Sequence, residues 1–370
     1  MGLKNIASAG PWITKHEIDY VTDACENGWY ENWAEYIEKF EKSFASWLGV
    51  RYAISTSSCT GALHIILAAL DLKPGDEVIV PEATWIATIS AIAYLGATPV
   101  FADIEEDTWC ISPEDIERKI TKRTKAIIPV HNYGHPADMK MIKDIAAKYD
   151  LVVIEDAAPG IGSKINDKLT GTFGDVAAFS FQGAKPLVTG EGGMIVTDNE
   201  DIYRRCYYYW DHCRAPGKVL WNTDIGFKYK MSSLQAALGL GQLERVDEII
   251  EKRRQIYFWY QEFLGNSNKF ALNVERDGYY NNFYVPTIVL DKSFVESQRD
   301  LLSQKMSEAG VMNRPFWRPI SKMVPHLTPA VTPIADGICA RGINLPCASK
   351  LQRDDIEYAA QTTLQLLHKL

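Results

Sequence analysis

The 370-residue chain contains seven cysteines but no CxxC pair. Cys25, Cys59, Cys110, Cys206, Cys213, Cys339 and Cys347 are odd in number and scattered, which argues against a zinc ribbon or a thioredoxin-like site. Free thiols fit a reducing compartment. No apolar stretch reaches about 18 residues, so no membrane span is expected. The N-terminal region has no basic start followed by an apolar run, so no secretory signal is expected either. Together these absences point to a cytoplasmic protein. Internal repeats, low-complexity tracts and Gly/Ser linkers are also missing. Basic residues are in deficit: 39 Lys and Arg against 47 Asp and Glu leave a net charge of −8. That balance speaks against nucleic acid or an anionic membrane as partner. It still permits a local cationic pocket for an anionic ligand.

With 46% hydrophobic and 23% charged residues, the composition is that of a globular protein. The length allows about two domains. Strand-like runs at 77–80, 99–104, 126–130, 151–155, 176–181 and 194–197 alternate with helical patterns. One of these helices carries Leu63, Ile66, Leu67 and Leu70, and another is expected at 139–148. Alternating strands and helices imply an α/β fold with a mostly parallel sheet. Such sheets bind ligands beyond the carboxyl ends of their strands. A long helix is expected at 233–263, opened by a capping box of Ser232 and Gln235, with a kink or domain crossing near 247–252. Further on, strands at 284–290 and 310–313 flank a helix at 297–309, and a helix at 353–368 closes the chain. The expected division is a large α/β domain over 1–248 and a smaller α+β domain over 249–370.

Four features could carry chemistry. Ser55-Thr56-Ser57-Ser58-Cys59-Thr60-Gly61 precedes a helix, where hydroxyls and free N–H groups suit a phosphate or simply cap the helix. Asp156 ends a buried apolar run, where a carboxylate needs a cationic partner or a capping role. Lys185 follows another strand between glycines, where it could form a Schiff base or lie solvated on the surface. Trp85, just past a strand, could stack on a planar ring or pack in the core. An anchor, a stacking face, an acid and a lysine, all beyond strand ends of one sheet, match the needs of pyridoxal 5′-phosphate.

On these segments, and on Tyr229-Lys230-Met231-Ser232-Ser233-Leu234-Gln235, the sequence resembles the DegT/DnrJ/EryC1/StrS family of sugar aminotransferases. The resemblance implies the fold-type I architecture of aspartate aminotransferase, with pyridoxal and pyridoxamine phosphate as cofactor forms. It implies that Lys185 is the Schiff-base and proton-moving lysine. Asp156 would face the pyridine nitrogen and Trp85 would stack on the ring. Ser58, Cys59, Thr60, Gly61 and Ser180 would hold the phosphate. The family's phosphate-contacting Asn from the partner subunit is replaced by Lys228, implying a homodimer with its active sites at the interface. The Gln often found three residues after the aspartate is Pro159, which lacks a side-chain donor. A lysine at 185, where related dehydratases carry histidine, favours amino transfer.

The expected reaction moves an amino group from L-glutamate to a keto nucleotide-sugar, a 4-keto-6-deoxyhexose, for surface polysaccharide or glycoside synthesis. Sugar contacts are expected from Trp12, His131, Arg314, Arg318 and His326, with Tyr133 as an alternative to His131. His131 and His135 have an i, i+4 spacing, but Asn-Tyr-Gly between them marks a turn, and no metal site is expected. The rival readings are a non-catalytic relative that binds cofactor or sugar, and another fold-type I reaction such as cysteine desulfuration or aldol cleavage.

Overall fold

The structure is a computed structural model that describes residues 5–265 and 267–370. Among the described residues, nine strands form in the first part of the chain: β1 Tyr52–Thr56, β2 Glu77–Pro81, β3 Thr98–Ala102, β4 Thr124–Ile127, β5 Val152–Asp156, β6 Lys164–Ile165, β7 Lys168–Leu169, β8 Val176–Ser180 and β9 Gly193–Thr197. Seven of them build one sheet in the order β1-β9-β8-β5-β4-β2-β3. Only β9 opposes the others, pairing antiparallel with both β1 and β8. β2, β8 and β9 are buried at every position, as strands covered on both faces must be. The helix Cys59–Ala69, between β1 and β2, is apolar nearly all round and almost wholly buried.

Two differences from the sequence expectations concern this part. β1 was not anticipated, because Ser55 and Thr56 make its end polar; both are fully buried against the sheet. The helix expected over 233–263 is two helices, Ser233–Leu243 and Val246–Leu264. The capping box at Ser232 and Gln235 is present. The break lies at 244–245, earlier than expected, where the N-terminal segment docks. Arg245 turns its guanidinium to Glu17 at 2.6 Å, and Gln242 donates to the Trp12 carbonyl at 3.0 Å.

The later part adds β10 Phe270–Leu272, β11 Tyr279–Tyr280, β12 Thr287–Leu290, β13 Arg314–Pro315 and β14 Gly342–Asn344. A four-stranded antiparallel sheet runs β10-β12-β14-β13, and β11 joins the β6–β7 hairpin. The strand expected at 310–313 is absent. Val311 makes an isolated parallel bridge with Ile6, and the pairing segment is β13. The helices Glu296–Glu308 and Arg353–Leu367 lie where the periodicity put them. Helix Val246–Leu264 serves two cores: Val246 and Ile250 pack beneath the large sheet, whereas Ile256, Tyr260 and Leu264 pack under the small one, together with Ile6. Among the described residues, no helix is long and apolar enough to cross a membrane.

Candidate active site

The carboxyl ends of β1, β5 and β8, together with the turn after β2, open on one region. After β1 the chain turns at Ser58, whose extended backbone caps helix Cys59–Ala69 while its Oγ accepts the Gly61 N–H at 3.1 Å. The first N–H groups of a helix lack carbonyl partners within it and attract anions. Glycines make room for this loop. A Cβ on Gly193 would lie 2.6 Å from the Ser58 carbonyl carbon, and one on Gly61 would lie 2.9 Å from the Tyr229 ring. Tyr229 also fixes the loop through its carbonyl, which accepts the Ser57 N–H at 2.6 Å. Ser180, the buried last residue of β8, pairs in register with Gly193.

Asp156 ends β5 and is almost completely buried. Its Oδ2 accepts the Thr88 hydroxyl at 2.7 Å, and its Oδ1 accepts the Ala158 N–H at 3.2 Å. Burial pushes its carboxyl above the ordinary carboxylate value, opposed by the Thr88 hydrogen bond and the Lys185 charge. Burial pushes the Cys59 thiol up, and the charges of Asp156 and Lys185 reach it, so the three lie near one another. Lys185 is half-buried in the loop after β8, with Nζ 4.5 Å from the centre of the Tyr284 ring. Trp85 caps helix Ile86–Tyr94 and is 60% exposed. One side of its ring tilts against Trp317 at 5.6 Å. A large aromatic exposed in a cleft is a ready stacking face.

The adjoining cleft encloses about 420 Å³ and is walled by Trp85, Tyr133, Tyr284, Arg314, Trp317 and Arg318. Arg314 is exposed there, and Arg318 pairs with Glu296. Tyr133 has a positive φ of 52°, and its hydroxyl accepts the Trp317 N–H at 3.2 Å.

Three expected sugar contacts lie elsewhere in this chain. His131 is 0% exposed: its Nε2 meets Glu155 at 2.9 Å, and its Nδ1 accepts the Ala137 N–H at 3.1 Å. With Nδ1 an acceptor, Nε2 carries the proton and donates to Glu155. No ring nitrogen remains for a sugar, and Tyr133 takes the place in the cleft wall. Glu155 holds the opposite side of β5 from Asp156, taking the N–H groups of Gly171, Phe173 and Gly174 at 2.7, 2.6 and 2.6 Å. Burial would raise its carboxyl, but these bonds and His131 bring it below the ordinary range. Trp12 is half-buried against the Arg245 guanidinium at 4.9 Å and is not among the residues that line the cleft. His326 is exposed and outside the cleft wall. His135 turns to the Pro136 carbonyl at 2.7 Å and stacks on Tyr279, so the two histidines have different partners. Lys228 is exposed, and the Pro159 carbonyl accepts the Asn282 amide at 2.8 Å. Sequence reasoning missed Thr88 and Tyr284. Thr88 could have been found one helical turn after Trp85; Tyr284 follows a turn whose path local pattern does not give.

A cradle kept open by glycines, a buried carboxyl and a lysine at the strand ends, beside a cleft with an exposed ring face, fit pyridoxal phosphate, the cofactor of fold-type I aminotransferases. The chain belongs to the DegT/DnrJ/EryC1/StrS aminotransferase family, whose pattern matches residues 11–363. It is a pyridoxal-phosphate-dependent aminotransferase. The sequence reading of 129–138 points to GDP-perosamine synthases, and proteins of that name are similar to this chain over nearly its whole length. The GDP-perosamine synthase of Escherichia coli O157:H7 is 39% identical over 97% of this chain and 98% of its own. That of Vibrio cholerae is 37% identical over 94% and 95%. Among solved structures, Spr1654 of Streptococcus pneumoniae in its PMP form superimposes with a TM-score of 0.92 at 26% identity, covering 99% and 98% of the two chains. DesI in the presence of its TDP-sugar product gives 0.91 at 27%, covering 100% and 94%.

Proposed function

We propose that the enzyme transfers the amino group of L-glutamate to a nucleotide-linked 4-keto-6-deoxyhexose, as a GDP-perosamine synthase would, in the synthesis of a surface polysaccharide or glycoside. The observation that carries this is the nearness of two unlike groups: the buried Asp156 and half-buried Lys185 at the strand ends, and the exposed Arg314 and Arg318 in the wall of the adjoining cleft, which Ala184 also lines. When bound, the cofactor supplies an electron sink that stabilises negative charge on the amine-bearing carbon. Ser58, Cys59, Thr60, Gly61 and Ser180 would hold its phosphate, and Trp85 would cover its ring. Asp156, oriented by Thr88, would keep its ring nitrogen protonated. Lys185 Nζ takes up and returns the proton of the reacting carbon. The arginines pair with the diphosphate of the sugar nucleotide as forked donors.

A homodimer completes this reading. Val219, Leu220 and Ile225 are 90%, 88% and 87% exposed, just before Lys228, and Trp29, Tyr30 and Trp33 add further exposed aromatics. An apolar surface of this kind calls for a covering partner. A second copy of the chain would cover it and bring its own Lys228 to the neighbouring phosphate. Trp12 and His326 would gain a role in sugar binding only within such a pair. The chain divides at 248/249, within the helix that serves both cores, with the segment around Ile6 lying on the second unit. Seven free cysteines fit a cytoplasmic location.

The test is direct. Purified protein given pyridoxal phosphate should acquire its visible absorbance, and L-glutamate should bleach it. The aminated form is then offered keto sugars on GDP, dTDP and UDP, with products read by mass. No bleaching with glutamate, or no amine from any sugar, sinks the proposal.

A further inference from the structure

Glu82 directly follows β2, three residues before Trp85, and is 0% exposed. Its Oε1 accepts the Ser321 N–H at 2.9 Å, whereas its buried Oε2 has no hydrogen-bond partner. Its backbone is tied on both sides: the N–H to the Ala102 carbonyl at 2.9 Å, the carbonyl to the Ile320 N–H at 3.3 Å. One residue thus joins the ends of β2 and β3 to the start of the short helix Ile320–Met323. That helix belongs to the stretch between β13 and helix Pro333–Arg341, which presents Trp317 and Arg318 to the cleft. The far end of the stretch is anchored by Asp103, next after β3, which accepts the Ile334 and Ala335 N–H groups at 3.1 and 2.8 Å. Between the anchors, Ser321 Oγ accepts the Ala330 N–H at 2.9 Å and closes the stretch on itself.

A buried carboxylate with an empty oxygen is costly as an anion. The charged and titratable groups facing Glu82 are Asp336, Lys322 and the Cys339 thiol. Lys322 is already engaged with Asp336 at 2.5 Å, so Glu82 has no cation of its own among the described residues. Burial pushes its carboxyl from 4.5 up to about 7, the Ser321 N–H opposing and Asp336 adding.

We propose that Glu82 is a positioning residue for the sugar substrate: it seats the segment 316–332 beside Trp85 and so sets sugar affinity without touching the reacting atoms. This rests on reading Arg314, Trp317 and Arg318 as the sugar-nucleotide wall. The proton sets its strength. With the folded value raised, seating is strongest with the proton on, below about pH 4.5. It weakens as the pH rises through about 7.

Glu82→Gln keeps an acceptor for Ser321 and cannot ionise, whereas Glu82→Ala removes the acceptor. In the holoenzyme, the wild-type KM for a GDP-linked 4-keto-6-deoxyhexose should rise severalfold across this range while kcat changes little. Glu82→Gln should give a flat KM. Glu82→Ala should raise KM roughly tenfold at every pH with the absorbance of the bound cofactor unchanged. Tryptic cleavage after Lys322, without sugar, reads seating independently: the wild type should be cut faster than Glu82→Gln as the pH rises. Three results would each overturn the proposal: Glu82→Gln keeping the wild-type pH dependence, Glu82→Ala losing kcat as much as kcat/KM, or coincident cleavage curves. If the wild type turns over no such sugar, the function reading falls, and the cleavage comparison alone decides the role of Glu82.

Discussion

The two walls of the cleft are built on opposite plans. On the cofactor side, each chemical group ends a strand or begins a helix, and its environment is fixed by burial. Asp156 is locked by Thr88 and the Ala158 N–H, and Ser58 by the Gly61 N–H. On the sugar side, both arginines are exposed: Arg314 stands on a two-residue strand paired with β14, and Arg318 on the stretch after it, which Glu82 and Asp103 hold from behind. The cofactor is common to many reactions and needs a rigid seat. The sugar is what distinguishes one relative from another, and loops can vary it without disturbing the sheet.

If that contrast is real, changes on the cofactor side should abolish chemistry, and changes on the sugar side should shift affinity. The largest effect is expected from Lys185→Ala. Losing a positioned proton-transfer group costs about 10²–10⁴-fold, so turnover should fall by roughly that range or more while the fold persists. The check is steady-state turnover together with the glutamate bleaching of the cofactor. Next is Asp156→Asn, which keeps the shape and removes the charge. Turnover should drop roughly 10²-fold, the scale of one misplaced charge partner in a dry site. The sugar KM should stay near that of the wild type. A KM change larger than the kcat change would break the comparison on its cofactor side.

The contrast also governs what the sequence reveals. Residues at strand ends are announced by the apolar run before them, so Asp156, Lys185 and Trp85 are legible, and the phosphate loop shows itself as hydroxyls ahead of a helical pattern. Polar residues inside the sheet are less so: β1 is hidden because Ser55 and Thr56 look like loop. His131 misleads for the same physical reason. It follows a strand, as site residues do, yet its partner is Glu155 on the next strand, and local pattern cannot tell which face of the sheet a turn residue meets. The break at 244–245 depends on Glu17 and Trp12, more than 200 residues earlier in the chain. The sugar wall has no period at all, so only its composition of Arg and Trp marks it.

On the opposite side of β5 from Asp156 lies a purely structural test. Gly171 has a φ of +87°, and a Cβ there would meet the Phe179 ring at 2.3 Å, while its N–H serves Glu155 at 2.7 Å. Gly171→Ala should cost about 1–3 kcal/mol, the usual penalty of overpacking, with added strain from the left-handed backbone. A urea unfolding curve reads it. The kinetic constants of the surviving folded enzyme should be nearly unchanged.

The smallest effects sharpen the sugar side. Arg314 is exposed in the cleft wall, so Arg314→Ala should raise the sugar KM about tenfold through the loss of charge-assisted bonds to phosphate. It should leave the glutamate half-reaction as it was. The loss should shrink as salt is added, because an exposed pair is screened. His326 supplies the matched control: it lies on the same irregular stretch, exposed, yet outside the wall of its own chain's cleft. His326→Ala should therefore change the sugar KM less than about twofold, within the range of an ordinary surface substitution. A His326 variant that behaved like the Arg314 variant would place His326 at the sugar, across a subunit boundary. The cleft wall would then be shared by two chains on its sugar side.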